Sequence, residues 1–210
     1  MPSFSSIGLT NGYDAALVRA ELAQAEEKRL GSDQAIFLGL SARLGKPSRF
    51  AGRYFQGRTL AQGDHFSLLI AVNGPGGLYL ELARTVTFAA ARDAVLAGFA
   101  VVKAAQDHTL ALIRPGAHPA QIAAAYDGWM VARGLPPETR LYAHGQGLDM
   151  VERPLIRADE TIALQAGMFL AVHPGFDDGV VFAVICDNYM VQEGGVGGCL
   201  HRTAKQVFQR

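Results

Sequence analysis

Cysteine is scarce: the 210 residues hold two, Cys186 and Cys199, with no Cys-x-x-Cys pair. So few thiols leave no disulfide framework to read, and a reduced, cytoplasmic protein is expected. An excess of one charge is missing too, since 19 Lys and Arg balance 19 Asp and Glu. The cations are scattered rather than gathered on one stripe, so neither nucleic acid nor an anionic membrane surface is expected as a partner. Long apolar runs are absent: Leu68–Val72 and Val180–Ile185 have the length of strands, too short to cross a bilayer. The opening residues, MPSFSSIGLTNG, lack a basic segment followed by an apolar one and do not read as a secretory signal.

What is present is half hydrophobic, with 24 glycines concentrated at turns. The length suits a single domain over residues 1–210 with a sizeable core, residues 1–12 being a loose lead-in. Asp14 caps an expected helix ending at Gly31, and a shorter helix is expected from Asp33 to Gly45. An edge strand is expected around Arg53–Phe55, then a turn at Gln62-Gly63-Asp64. His65–Val72 reads as a buried strand, the glycine-rich turn from Asn73 to Gly77 reverses it, and Leu78–Thr87 returns as the second arm of a hairpin. An Ala-rich helix should span Phe88–Ile113 and stop at Arg114-Pro115-Gly116; another should open at His118-Pro119 and end at Gly134. Strands are expected around Arg140–Ala143, Leu148–Glu152, Met168–His173, Val180–Val191 and near Leu200. Helices then hairpin, repeated once, implies two α+β halves packed around a central cleft.

Chemistry concentrates between Tyr142 and Gly175. His144 ends one apolar strand and is followed by Gly145 and Gly147; His173 ends another and is followed by Pro174-Gly175. Strand-end imidazoles beside turn residues either line a pocket or are satisfied structural histidines. Glu81 shares a strand face with Tyr79 and is functional if that face lines the cleft. Cys186 reads as a small buried hydrophobe or as a ligand. Asp187, Asn188 and Tyr189 are polar within a buried-looking strand, facing either the cleft or an edge. His65, His108, His118 and His201 carry no motif and read as surface or capping residues.

The segments GDHFSLLIAVNGPGGLYLELART, LIRPGAHPAQIAAAYDGWMVARG, YAHGQGLDMVERPL, LQAGMFLAVHPGF and ICDNYMVQEGG follow one another in this order. Together they resemble the creatinase, Xaa-Pro aminopeptidase and methionine aminopeptidase superfamily with its pita-bread fold, over roughly residues 60–195. The chain length leaves no room for the N-terminal domain of larger relatives such as creatinase and prolidase. The resemblance implies an α+β pita-bread domain and a homodimer. Metal-dependent members hold two ions with two Asp, one His and two Glu. Carried over, the histidine falls on His144, the second aspartate on Glu81 and the first at or near Ile70. The glutamate of the Glu-Pro-Gly motif falls on His173, and the last glutamate on Cys186. Where the peptidases place a proton-transfer histidine, this chain reads Val151-Glu152-Arg153-Pro154.

Loss of bridging carboxylates implies loss of two-metal peptidase chemistry. Two site types stay open. Glu81, His144, His173 and Cys186 form a credible set for one Zn or Fe ion. Alternatively no metal is bound, as in creatinase, and His144 and His173 act as base and acid with Glu81 as partner. Arg84 could clamp a substrate carboxylate, with Tyr79, Asp187 and Tyr189 completing the binding surface. The expected role is a non-peptidase hydrolase acting on a small polar substrate, carboxylate-bearing if Arg84 faces the cleft. A lyase on the same scaffold, or a catalytically inactive binding module, are the alternatives.

Overall fold

A computed structural model describes residues 36–43, 62–73 and 77–209, the first of these as backbone. The expected lead-in, the helix over 14–31 and the edge strand around 53–55 lie outside them. Eleven strands and two helices are described: β1 (Ile36–Arg43), β2 (His65–Asn73), β3 (Tyr79–Thr87), α1 (Asp93–Leu112), α2 (Pro119–Val131), β4 (Ala143–Gly145), β5 (Glu152–Leu155), β6 (Phe169–Val172), β7 (Gly175–Asp177), β8 (Phe182–Val184), β9 (Asp187–Gln192), β10 (Gly195–Val196) and β11 (Phe208–Gln209). They form a four-stranded sheet in the order β1-β2-β3-β11, a five-stranded sheet in the order β10-β9-β6-β4-β5, and the small pair β7-β8.

The hairpin forms as the sequence predicts, with antiparallel pairing from His65↔Thr87 to Asn73↔Tyr79. The stretch preceding it differs. Residues 36–43 are a strand, not part of a helix, and pair antiparallel with β2 from Ile36↔Val72 to Arg43↔His65. Periodicity cannot separate a short apolar run as strand or helix, and the exposed ladder of β2 decides the matter. The aromatic and β-branched Ile36-Phe37, with Gly39 at the centre, suit that outcome.

Helix α1 starts five residues later than expected, at Asp93. Phe88 cannot open it, because its backbone closes the end of the hairpin: Phe88 N–H donates to Asp64 O at 2.9 Å and Phe88 O accepts from Gly63 at 2.7 Å. Asp93 places a carboxylate in the first turn, where it complements the helix dipole. At the other end Pro115 bars continuation. The expected strand over 180–191 is two strands in different sheets, β8 and β9, broken at Ile185-Cys186. The tail strand lies at Phe208–Gln209 rather than near Leu200 and runs parallel to β3.

Helices α1 and α2 bury Ala105, Ile122, Tyr126 and Met130 against Leu170, Val172 and Tyr189 of the five-stranded sheet. Leu69, Ala83, Ala171, Phe182, Val184 and Cys186 fill the space where the sheets meet. Backbone crosses that seam at Ala83↔Cys186, with N–H···O bonds of 3.2 and 3.0 Å. Arg84, 3 % exposed, spends all its N–H groups there. Its Nε donates to Ala204 O, Nη1 to Ala83 O and Cys186 O, and Nη2 to Asp187 Oδ1 at 2.7 Å and Thr203 O. Asp187 is wholly buried and also accepts from Gln106 Nε2 at 3.2 Å.

Arg84→Ala strands a buried carboxylate and several carbonyls, so it should cost about 3–5 kcal/mol, read by urea unfolding. A loss below about 1 kcal/mol would show that the seam does not depend on this guanidinium.

Candidate active site

Strand alternation places Glu81 on the face of β3 that looks across the seam, and the five-stranded sheet presents the imidazoles opposite. His144 is the middle residue of β4; His173 follows the last residue of β6, its N–H bonded to Tyr142 O at 2.6 Å. Ligand-type atoms of Glu81, His144 and His173 all lie within 4.8 Å of one another. His144 Nε2 stands 3.8 Å from Glu81 Oε2, and the two rings meet edge-to-face with centroids 5.0 Å apart. The three residues on which the sequence reading rested its chemistry therefore do converge.

The protonation pattern follows from burial. His144 Nδ1 lies 2.7 Å from Gly145 O, an acceptor, so Nδ1 carries the hydrogen and Nε2 presents its lone pair toward Glu81. Burial holds the His144 imidazole below its ordinary value. His173 is held well below by burial, with the nearby His144 and Arg140 acting in the same direction. Its Nε2 is buried and has no hydrogen-bond partner among the described residues. Glu81, 6 % exposed, is pushed up to about 7 by burial, against weaker hydrogen bonds from Cys186 and Gln146.

The other expected residues divide. Tyr79 is half-buried at the start of β3, on the Glu81 face, and its N–H donates to Gly147 O at 2.8 Å. Cys186 does not join the cluster: its Sγ–H points to Glu81 O at 3.5 Å, and burial followed by the Glu81 charge pushes the thiol well up, away from thiolate. Arg84 has no donor left for a substrate carboxylate. Asp187 is sealed against Arg84 and Gln106, while Tyr189, 2 % exposed, donates to Gln106 Oε1 at 3.2 Å and accepts from Lys205 Nζ. Because β9 alternates, these two face α1 and only Asn188 between them faces the site.

Sequence reasoning missed Gln146 and left Asn188 open between the cleft and an edge. Gln146 Nε2 donates to Glu81 Oε2 at 3.4 Å and to Met150 O at 3.0 Å. Asn188 Oδ1 accepts the Glu81 N–H at 2.7 Å, and its Nδ2 donates to Gln146 Oε1 at 2.8 Å. Gln146 lay inside the quoted His-Gly-Gln-Gly motif; Asn188 had no signal beyond being polar in an apolar strand.

A single divalent cation fits this donor set. One carboxylate and two neutral imidazoles are suitable ligands, and His173 Nε2 has no other partner among the described residues. A pair of cations does not fit. The register sets Ala71, not Ile70, opposite Glu81, so no carboxylate faces it across the hairpin, and the Cys186 sulfur is turned aside.

Two outcomes test this geometry. A Cβ at Gly145 would lie 2.7 Å from Arg153 O and 2.9 Å from Glu152 O, both backbone atoms that cannot step aside. Gly145→Ala should therefore destabilise by about 1–3 kcal/mol in thermal melts; an unchanged melting point would refute the close approach. For the carboxyl, the folded value of about 7 lies above the ordinary 4.5. Folded protein holds that proton longer than unfolded chain, so this contribution to stability is complete below about 4.5 and is lost as pH rises through about 7. Metal-free Glu81→Gln should gain on the wild type across that window, by about 3 kcal/mol at pH 8. Neutral imidazoles act in the opposite sense below their ordinary 6.5, but equally in both proteins. A wild-type and variant difference flat from pH 4 to 8 would refute the buried, protonated carboxyl.

Comparison with known proteins bears on the family and the fold. Among solved structures the chain is similar to the dipeptidase PepE from Mycobacterium ulcerans, at 26 % identity and a TM-score of 0.81, covering 96 % of this chain and 54 % of that one. It is similar to the Xaa-Pro dipeptidase from Bacillus anthracis, at 20 % identity and a TM-score of 0.82, covering 99 % and 58 %. The N-terminal domain of the FACT complex subunit SPT16 from chickpea shares the fold at 13 % identity and a TM-score of 0.75, covering 93 % and 51 %. The chain thus spans little more than half the length of these relatives. A comparison with curated proteins finds no match. The family model for metallopeptidase family M24 matches residues 14–193, and the α+β architecture described above is that family's pita-bread fold: the chain belongs to metallopeptidase family M24.

Proposed function

We propose that this protein is a hydrolase that cleaves a C–N bond in a small polar substrate, an amide or amidine, without the paired metals of the peptidases. The observation that carries the proposal is a carboxyl held protonated near neutrality 3.8 Å from an imidazole lone pair. That gap is too long for a direct hydrogen bond, and a water or substrate heteroatom seated beside the pair can reach both atoms.

In this reading His144 Nε2 takes a proton from water as the oxygen bonds to the substrate carbon. Glu81 gives its proton to the departing nitrogen as the C–N bond breaks. The proton on His144 then returns to Glu81, and the carbonyl product leaves, an acid from an amide or an amide from an amidine. His173 Nε2 gains its missing partner from a polar group of the substrate. A bound Zn or Fe ion, held by Glu81, His144 and His173, would supply a water of lowered pKa at the same place. Arg84, fully engaged in the seam, gives no support for a substrate carboxylate. A cytoplasmic homodimer is kept as part of the proposal; sedimentation at micromolar concentration tests the dimer.

Hydrolysis of a panel of small amides and amidines, followed with His144→Ala and Glu81→Gln, tests the reading. Expected is at least a hundredfold loss in each variant. The wild-type rate should rise through a pKa below 6.5, as His144 becomes neutral, and fall through about 7, as Glu81 loses its proton. A rate that climbs and then stays level above pH 7, restored by added Zn, would favour the cation. No turnover in either protein would favour the inactive binding module, a role for which a fold neighbour named as a complex subunit is a precedent.

A further inference from the structure

The family match ends at residue 193, yet the chain continues as a strap along the seam between the sheets. Its backbone carbonyls at Thr203 and Ala204 accept from Arg84, Lys205 Nζ donates to Gln106 Oε1 at 2.7 Å, and Phe208–Gln209 lies along β3. At the start of the strap His201 is half-buried, with Nε2 2.9 Å from Asn188 Oδ1. That oxygen also receives the Glu81 N–H at 2.7 Å, so Asn188 presents its oxygen to both. An amide oxygen only accepts, and therefore His201 donates from Nε2. The amide's other end donates to Gln146 Oε1 at 2.8 Å, which leaves Gln146 Nε2 to donate to the Glu81 carboxylate.

The arrangement answers a local need. Backbone pairing across the seam ends at the Ala83↔Cys186 bridge. Two residues along β3 the Glu81 N–H meets the Asn188 side chain in place of a main-chain carbonyl. Glu81 stands on one sheet and His144 and His173 on the other, so their spacing depends on how firmly Asn188 is held. We propose that His201 is a positioning residue: through Asn188 it fixes the Glu81 backbone and the Gln146 amide, and the strap thereby completes the site. This inference rests on reading Glu81, His144 and His173 as the functional centre.

The test compares full-length wild type, His201→Ala and His201→Gln, the last retaining an N–H donor. Residue-resolved amide exchange of the metal-free proteins is the first readout. Expected for His201→Ala is about tenfold faster exchange at Glu81 with unchanged rates in the β6–β9 ladder, and recovery in His201→Gln. General loosening would accelerate both regions together and would overturn a specific role, as would an unchanged Glu81 rate. Calorimetric titration with Zn is the second readout. If the wild type binds one equivalent, His201→Ala should weaken binding about tenfold and His201→Gln should not, as for partners that orient a ligand without touching the ion. Equal affinity in all three proteins would overturn the positioning role. A wild type that binds no Zn would remove the single-cation fit alone, and His201 would stand or fall on the exchange rates.

Discussion

The fold depends on one buried guanidinium. Arg84 sits where a four-stranded and a five-stranded sheet meet, and it holds together carbonyls from β3, from the β8–β9 connection and from the C-terminal strap, as well as the carboxylate of Asp187. A buried charge is tolerable when each donor has an acceptor and the counter-charge is equally satisfied. Both conditions hold here, because Gln106 completes Asp187 from helix α1. The consequence reaches the site. Glu81 and the two imidazoles belong to different sheets, so the lock beside them sets the distance over which their chemistry operates.

The charge of the site follows from what is missing beside Glu81. Two divalent cations need several carboxylates to offset them. Here Ala71 faces Glu81 across the hairpin, burial keeps the Cys186 thiol neutral, and the donors gathered with Glu81 are the imidazoles of His144 and His173. One carboxyl remains, in a space too dry to ionise it readily. Desolvation raises the carboxyl to about 7 and depresses the imidazoles, so that near neutral pH the carboxyl can give up a proton while the imidazoles stay neutral as acceptors. These features are mutually consistent: neutral nitrogen donors beside a carboxyl near its midpoint.

Much of this was legible in the chain. The β2–β3 hairpin, helix α2 and the end of α1 follow from glycine-rich turns, proline stops and apolar periodicity, which are local effects. Three site residues were legible because strand-end histidines beside glycines and an acidic residue in a hairpin are unusual in apolar surroundings. Residues 36–43 were misread because their apolar pattern suits either element and the deciding partner lies in another part of the chain. Arg84, Asp187 and Tyr189 were taken for surface chemistry because polarity in a strand does not reveal which face it occupies. The break at Ile185-Cys186 sends Asp187 and Tyr189 toward α1 and leaves Asn188 at the site.

By itself, the sequence determined most of the element types, the family and three donor residues, Glu81, His144 and His173, because these depend on composition, short-range spacing and motif order. Tertiary structure alone decided that Arg84 belongs to the interior, that Cys186 turns away from the imidazoles, and that Gln146, Asn188 and His201 surround Glu81. Most of these are choices of partner across more than forty residues of chain, and the His201–Asn188 contact joins the C-terminal strap to β9. Such choices are settled by which buried polar groups can satisfy one another in three dimensions, and local sequence carries no record of that.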